Sequence, residues 1–568
     1  RFLGLAGAFI NAFGHLELAF LKTAHRFRAV ERKSDPGIFH ASLGASSGCL
    51  KQFLGLFFLF DYGTMGQTTQ EEKPNMLYKH KNEETLAASL FRDPSSEYRG
   101  APFWSWNNQL EGPELERQIA IFKEMGFGGF QMHVRTGLKN QYLGPEFMEM
   151  VRLCVDKARE EGLHAWIYDE DQWPSGYGGG MVTKEPAYRA RRLQWTVHRP
   201  EAMLACFDVV LDADGRLKNY VRVSPDAQPL PGSTRWYAAV RINEPSARFN
   251  GQTYADTLNP DATRRFIEVT HERYRQTVGD EFNRTVPAIF TDEPGLSARQ
   301  TLSSSFSCED LYFPWTDSLP ALYRERYQEE LLDVWPELVW ELPTGVSVHR
   351  YRYHNLVSDQ FASAFAGVIA AWCCQNGLPF TGHMVDEDSL QGQGTTVGEV
   401  MRSYPYMDIP GIDILCGEHA FTTAKQAQSC VRQYGREGML AELYGVTGWD
   451  ADFREYKHQG DWLAALGVTV RVPHLAWYAM EGEAKRDYPA SIFYQSSWYR
   501  EFPALENHYA RLNTALTRGH ARTRIAVIHP IESYWLLKGP AEHCAAAAQE
   551  LDENFHTLTE WLIANNLD

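Results

Sequence analysis

Cysteine is scarce in this chain, with nine in 568 residues. No CxxC spacing occurs and Cys373-Cys374 is the one close pair, which argues against a zinc knuckle or a disulfide framework. Reduced thiols fit a cytoplasmic protein. The single sequon, Asn283-Arg284-Thr285, is too common by chance to argue secretion. Basic residues are also short: 55 Lys+Arg against 72 Asp+Glu gives a net charge of −17. Such a chain repels phosphate backbones, so nucleic acid is not an expected partner. No apolar run spans the roughly 20 residues a bilayer crossing needs. Phe53 to Phe60 is too short, and the apolar start of the chain is broken by Asn11, His15 and Glu17. The order of basic, apolar and small residues does not match a signal peptide, and no membrane partner is expected. There is no internal repeat, no HExxH, and no Lys-Ser/Thr after Gly176–Gly180 to make a phosphate loop.

The chain opens with Arg1, and Met65 begins a soluble-looking stretch. We read residues 1–64 as foreign to the functional domain, an upstream translation product rather than a targeting segment. Residues 1–96 are expected to be poorly structured. Gly44-Ala45-Ser46-Ser47-Gly48 matches a hydrolase nucleophile elbow, but no strand precedes it, so it is set aside.

From about residue 97 short apolar runs alternate with amphipathic stretches, as in βα units. Eight strands are predicted: 101–106, 127–134, 164–168, 288–291, 379–384, 412–415, 439–443 and 468–473. Helices are predicted over 113–125, 147–161, 260–278 and 358–375. The helix at 260 has Asn259 as N-cap and Pro260 at its first position. Eight parallel strands with helices between them define an α/β fold, a (β/α)8 barrel over residues 97–519. The long gap after the third strand holds four short strand patterns, 193–198, 204–211, 218–223 and 235–242. They are read as an inserted β-rich subdomain over 188–250. After residue 520, Thr523–His529 reads as a strand and Ala541–Asn565 as a long helix, the truncated start of a second α/β domain.

A barrel places its chemistry at the carboxyl ends of its strands. Strand two ends in His133 and Arg135. Strand three ends in Asp169-Glu170-Asp171 with Trp173 beyond. Strand four ends in Asp292-Glu293-Pro294, and strand five in His383 followed by Glu387-Asp388. Strand seven carries Glu442, with Trp449 further on. Strand eight runs into His474 and Tyr478. This ring of acids, imidazoles and aromatics fits glycosidic bond cleavage, which takes one protonated carboxylic acid and one carboxylate acting as base or nucleophile. Crowded acids repel, which keeps one protonated near neutral pH. Trp and Tyr rings suit the apolar faces of a sugar. Glu293 and Glu442, after the fourth and seventh strands, are the expected catalytic pair. Asp169-Glu170-Asp171 reads either as a solvated turn or as a ligand for hydroxyls or a cation. Glu387-Asp388 reads the same way. No tight metal spacing is present, so metal ligands stay unassigned.

Several of these stretches resemble glycoside hydrolase family 106, the α-L-rhamnosidases. They are Phe103–Asn107, Gly126–Phe130, Tyr168–Gly176, Phe290–Pro294, Gly382–Met384 with Glu387–Ser389, Glu442–Gly445 with Gly448-Trp449, His474-Leu475, and Glu481–Pro489. The resemblance is collinear over roughly residues 97–545. It implies a barrel enzyme releasing terminal α-L-rhamnose from glycans by inversion with the help of calcium. It also implies Glu293 as general acid and Glu442 as base, or the reverse. A retaining β-galactosidase-like barrel and a carbohydrate-binding fragment without turnover are the alternatives. The family's chains continue into further β domains.

Overall fold

The computed structural model describes residues 77–81, 83–417, 419–523 and 525–567. The expectations for residues 1–64, including the Gly44–Gly48 motif and the Phe53–Phe60 run, lie outside the described residues.

Nine parallel strands close a barrel in the order β13-β12-β11-β10-β8-β3-β2-β1-β14. They are β1 (Phe103–Trp106), β2 (Gly129–Val134), β3 (His164–Tyr168), β8 (Ile289–Asp292), β10 (Phe380–His383), β11 (Ile409–Ile414), β12 (Leu440–Leu443), β13 (Val470–Pro473) and β14 (Ala476–Trp477). All eight predicted strands are present. The eighth is split: its first half pairs with β12, and after two residues its second half pairs with β1, Trp104 facing Ala476. That break closes the cylinder.

Alternation along the strands divides the aromatic residues between two layers. On β1, Phe103 joins the cluster inside the barrel with Trp166, Tyr168 and Phe290. Trp104 and Trp106 point the other way. Trp104 meets Phe122 of the helix Gly112–Glu124 and donates its indole N–H to Gln118 at 2.7 Å. That helix buries Leu115, Ile119 and Phe122, the residues whose spacing predicts it.

The four strands of the insertion and a fifth from the segment between β8 and β10 form an antiparallel sheet, β6-β5-β7-β4-β9. Its strands are β4 (Arg191–Thr196), β5 (Ala205–Leu211), β6 (Leu217–Arg222), β7 (Thr234–Ile242) and β9 (Leu311–Trp315). The fifth strand, β9, is an addition to the sequence reading. It carries Pro314, which a strand tolerates at a sheet edge, where β9 lies.

Three segments depart from expectation. The helix predicted over 260–278 breaks at Thr270, whose hydroxyl bonds back to the Phe266 carbonyl at 2.7 Å. The helix predicted from 358 begins earlier, at Val348, where the Ser347 side chain accepts from His349 N–H, and it runs to Asn376 through a π-helical turn. It is the one described helix long and apolar enough to cross a membrane, and 61% of its apolar window is buried inside the protein. Thr523–His529 forms no strand at its described residues. Ile525, Val527 and Ile528 stay exposed, and the segment pairs with neither sheet.

The helices Ile531–Leu536 and Ala541–Ala564 pack back on the barrel through Ile531, Tyr534, Trp535, Ala548 and Leu390. Buried Arg350 and Arg299 fasten them. Arg350 donates to the Leu338, Trp340 and Leu536 carbonyls, and Arg299 to those of Leu338 and Lys538. Charged donors there satisfy helix-end carbonyls that lack intrahelical partners.

Candidate active site

β8 and β10 lie side by side, with Asp292 opposite His383. The two strands meet closely. Gly382 has φ +142°, and a Cβ there would stand 2.0 Å from the Thr291 carbonyl oxygen. Only glycine lets the pair approach so far, and the approach sets Glu293 against β10, its N–H donating to the His383 carbonyl at 3.2 Å. Glu293 itself has φ +44°, a left-handed conformation unfavourable for glutamate. Asp386, Tyr444, Val446 and Tyr488, on the loops that follow β10, β12 and β14, share that strain. Strain gathered at one rim is a common mark of a functional site.

His383 is the hub. Fully buried, it places Nε2 2.9 Å from Oε2 of Glu442 and 3.6 Å from Oδ1 of Asp292. Asp292 also accepts from the Tyr168 hydroxyl. One nitrogen of His383 and one oxygen each of Glu293 and Asp413 lie within 4.8 Å of one another. Burial alone would strip the imidazole of its proton. The Glu442 hydrogen bond and the charges of Asp292, Asp413 and Glu442 overturn that and raise its pKa well above the ordinary histidine value. We therefore read His383 as an imidazolium hydrogen-bonded to Glu442 and near Glu293.

The two glutamates differ. Burial and the neighbouring Asp292, Glu442 and Glu387 push Glu293 up to about 8, against the pull of His383. Its carboxyl is protonated at neutral pH. Burial raises Glu442 as well, but the hydrogen bond and charge of His383 oppose it and favour the carboxylate. Glu293 lines an open cleft of about 170 Å³ with Asp386, Glu387, Asp388 and Asp413. Glu442 is 5% exposed and does not line that cleft; it sits behind His383 among polar groups. His474 Nε2 stands 3.9 Å from its other oxygen.

A second group flanks Glu442. Arg135 forms a two-pronged ion pair with Asp487 at 2.7 and 3.0 Å, and its guanidinium lies 4.5 Å over Trp173 and 5.7 Å from Tyr488. His133 packs between Phe103 and Tyr168 with neither ring nitrogen hydrogen-bonded, and His474 leaves Nδ1 without a partner. Burial and the Arg135 charge hold both imidazoles well below the ordinary pKa, hence neutral.

Other expected ligands are placed differently. Glu170 is buried beneath its loop and accepts N–H bonds from Asp171, Gly176, Gly178 and Gly179 at 2.7–3.0 Å. Both its oxygens are taken, so it shapes the loop instead of facing a ligand. Asp169 accepts from Ser175, and burial pushes it up to about 8. Asp171 accepts from Asn250 of the insertion. Glu387 accepts from Met384 N–H and the Tyr404 hydroxyl, leaving it at the cleft wall with its pKa pushed up to about 7 by burial. Tyr478 faces away from the mouth, its hydroxyl accepting from Glu111 N–H at the start of an outer helix. Trp449 is half exposed against Trp477, and Asp388 lies exposed on the cleft rim. Asp413 was missed: it sits one residue before the end of β11, and the pairing of β11 with β10 brings it to the cleft.

Two trios come close enough to share an ion, Asp292–His383–Glu442 and Glu293–His383–Asp413. Both depend on an imidazole, whereas calcium takes six to eight oxygens. The cleft fits calcium better. Its lining is acidic with no basic side chain, and Asp413 Oδ1 there has no hydrogen-bond partner.

No protein-family model matches the chain, and no curated protein sequence matches it. Among solved structures it is similar to a rhamnosidase from Novosphingobium sp. PP1Y, at 14% identity and a TM-score of 0.54, covering 76% of this chain. The chain spans 60% of that rhamnosidase chain. It is also similar to the catalytic domain of a β-amylase from Paenibacillus polymyxa (9% identity, TM-score 0.37, 66% of this chain and 93% of that one). An endo-β-1,4-mannanase from Thermotoga petrophila aligns at 9% identity and TM-score 0.35, over 74% of this chain and 77% of that one. The last two are too distant to carry an argument. The first shares the fold, a (β/α)8 barrel with an antiparallel sheet beside it.

Proposed function

We propose that this protein is an exo-acting glycoside hydrolase that releases terminal α-L-rhamnose from a glycan by a single displacement. The observation that carries the reading is the pairing of Glu293, whose burial and acidic neighbours favour the protonated form, with Glu442, which is hydrogen-bonded to His383, at strand ends four and seven. The rhamnose assignment rests on the family 106 motifs and agrees with the shared fold.

In this reading the Glu293 carboxyl gives its proton to the glycosidic oxygen as the bond to the anomeric carbon breaks. The Glu442 carboxylate takes a proton from water as that water's oxygen bonds to the same carbon from the opposite face. His383 holds Glu442 ionised and in place. Arg135, Trp173 and Tyr488 form an aromatic and cationic rim for the sugar, and the neutral His133 and His474 pack beneath it. Asp386, Asp388 and Asp413 would hold calcium, which when bound neutralises the acid cluster and binds sugar hydroxyls. A carbohydrate-binding role without turnover is the second reading, favoured by the burial of Glu442.

Proton NMR of an aryl α-L-rhamnoside incubated with the full chain tests the proposal. Inverted rhamnose as first product supports it. Retained rhamnose refutes single displacement and makes Glu442 a nucleophile. No cleavage, with measurable sugar binding, establishes the second reading.

A further inference from the structure

Away from the two glutamates, a pair of imidazoles meets at the protein surface. His419 lies on the loop after β11 and His458 on the helix Phe453–Ala465. Their Nε2 atoms are 3.0 Å apart, and both side chains are exposed. The rings meet at 71° with centroids 4.9 Å apart. His419 does not swing freely there: its ring packs against Trp462 at 5.2 Å and Phe421 at 5.7 Å, which also touch each other. Trp462 stands four residues after His458, one turn along the same helix face, so a single rigid element carries one imidazole and supports the other.

We propose that His419 and His458 form a binding site for a divalent first-row transition ion with right-angled ligand positions, copper(II) or nickel(II). Two imidazole nitrogens about 2.1 Å from one ion and at right angles to each other stand about 3.0 Å apart. That is the separation observed. A tetrahedral zinc ion would need about 3.4 Å. Imidazole suits copper and nickel, and copper binds such donors most strongly in the divalent series. Water fills the remaining positions. The competing explanation for the close approach is a hydrogen bond in which one neutral ring donates N–H to the other, and that arrangement takes up no ion.

Occupancy has a structural consequence. Leu415 and Ala420, before and after His419 on its loop, line the cleft that holds Glu293 and Asp413. An ion shared by His419 and His458 ties that wall to the helix Phe453–Ala465. The site shares no residue with the Glu293–Glu442 pair, so it stands or falls apart from the hydrolase reading.

The test titrates the full chain with copper(II) and nickel(II), beside His458→Ala and His419→Gln, each checked for native circular dichroism. Both positions are exposed, so the variants are expected to fold. The wild type takes up one equivalent more than either variant. The electron paramagnetic resonance of that copper shows coupling to two nitrogens, and amide exchange over residues 415–420 slows on ion addition in the wild type alone. Equal uptake by wild type and both variants, or a signal unchanged by the substitutions, overturns the proposal.

Discussion

Replacing His383 by glutamine removes the cation hydrogen-bonded to Glu442 and near Glu293 and leaves a side chain of similar reach. The hydrogen bond from His383 to Glu442 is 2.9 Å long, between side chains 0% and 6% exposed. A hydrogen bond to a charged partner contributes about 1.5–3 kcal/mol. At 1.36 kcal/mol per pH unit, that is a displacement of about one to two pH units. The sign follows from the charges. His383 favours ionised Glu442, so its loss raises the Glu442 pKa, and the base must be ionised to act. The acidic limb of the kcat/KM profile therefore moves up by about one to two pH units. Activity on the acidic side falls by roughly 10- to 100-fold and recovers as pH rises. His383 also pulls the Glu293 pKa down, so the alkaline limb, set by Glu293 near about 8, moves up too. The assay is kcat/KM for an aryl α-L-rhamnoside across pH, with thermal unfolding as the check on folding. A uniform loss of rate with both limbs in place would refute the electrostatic role of His383.

Glu293→Gln should cost roughly 10²- to 10⁴-fold in kcat on glycosides with poor leaving groups, and much less on dinitrophenyl glycosides, which leave without a proton. Its pH profile should lose the alkaline limb, and a limb that persists would assign the acid elsewhere. Chelation by EGTA should abolish activity, and added calcium should restore it to the wild type but not to Asp413→Asn; unchanged turnover in EGTA contradicts the calcium assignment. Arg471 and Glu506 form a buried two-pronged ion pair at 2.7 and 2.6 Å that fastens β13 to the helix Pro503–Leu516. Glu506→Gln leaves that guanidinium uncompensated and should lower stability by about 3–5 kcal/mol in urea unfolding, so an unmoved midpoint would show the pair to be dispensable.

The barrel was legible because its signals are local. Each strand is a short apolar run bounded by turns, and alternation such as Phe103 inward and Trp104 outward leaves its mark on every few residues. The four insertion strands were readable for the same reason. β9 was not, since Pro314 lowers the strand signal and only its place at a sheet edge makes it tolerable. At the site, Glu293 and Glu442 stood out because each ends a readable strand. What they share, a single imidazolium, depends on which strands become neighbours, and that pairing is a long-range property. Asp413 was lost for the same reason. Glu170 was misplaced because a run of three acids does not reveal which one turns inward. The glycines at 176, 178 and 179 were the available clue, since successive exposed N–H groups in a tight turn make a cradle for one carboxylate. Tyr478 turned outward because strand eight breaks after Pro473, which no residue pattern announced.

Hydrolysis of a panel of aryl glycosides by the wild type, Glu293→Gln and Glu442→Gln addresses the central claim most directly. The account predicts release from the α-L-rhamnoside by the wild type, with that release lost on removing Glu442 and reduced on removing Glu293 according to the leaving group. Wild-type rates in either variant, with the protein folded, would contradict it.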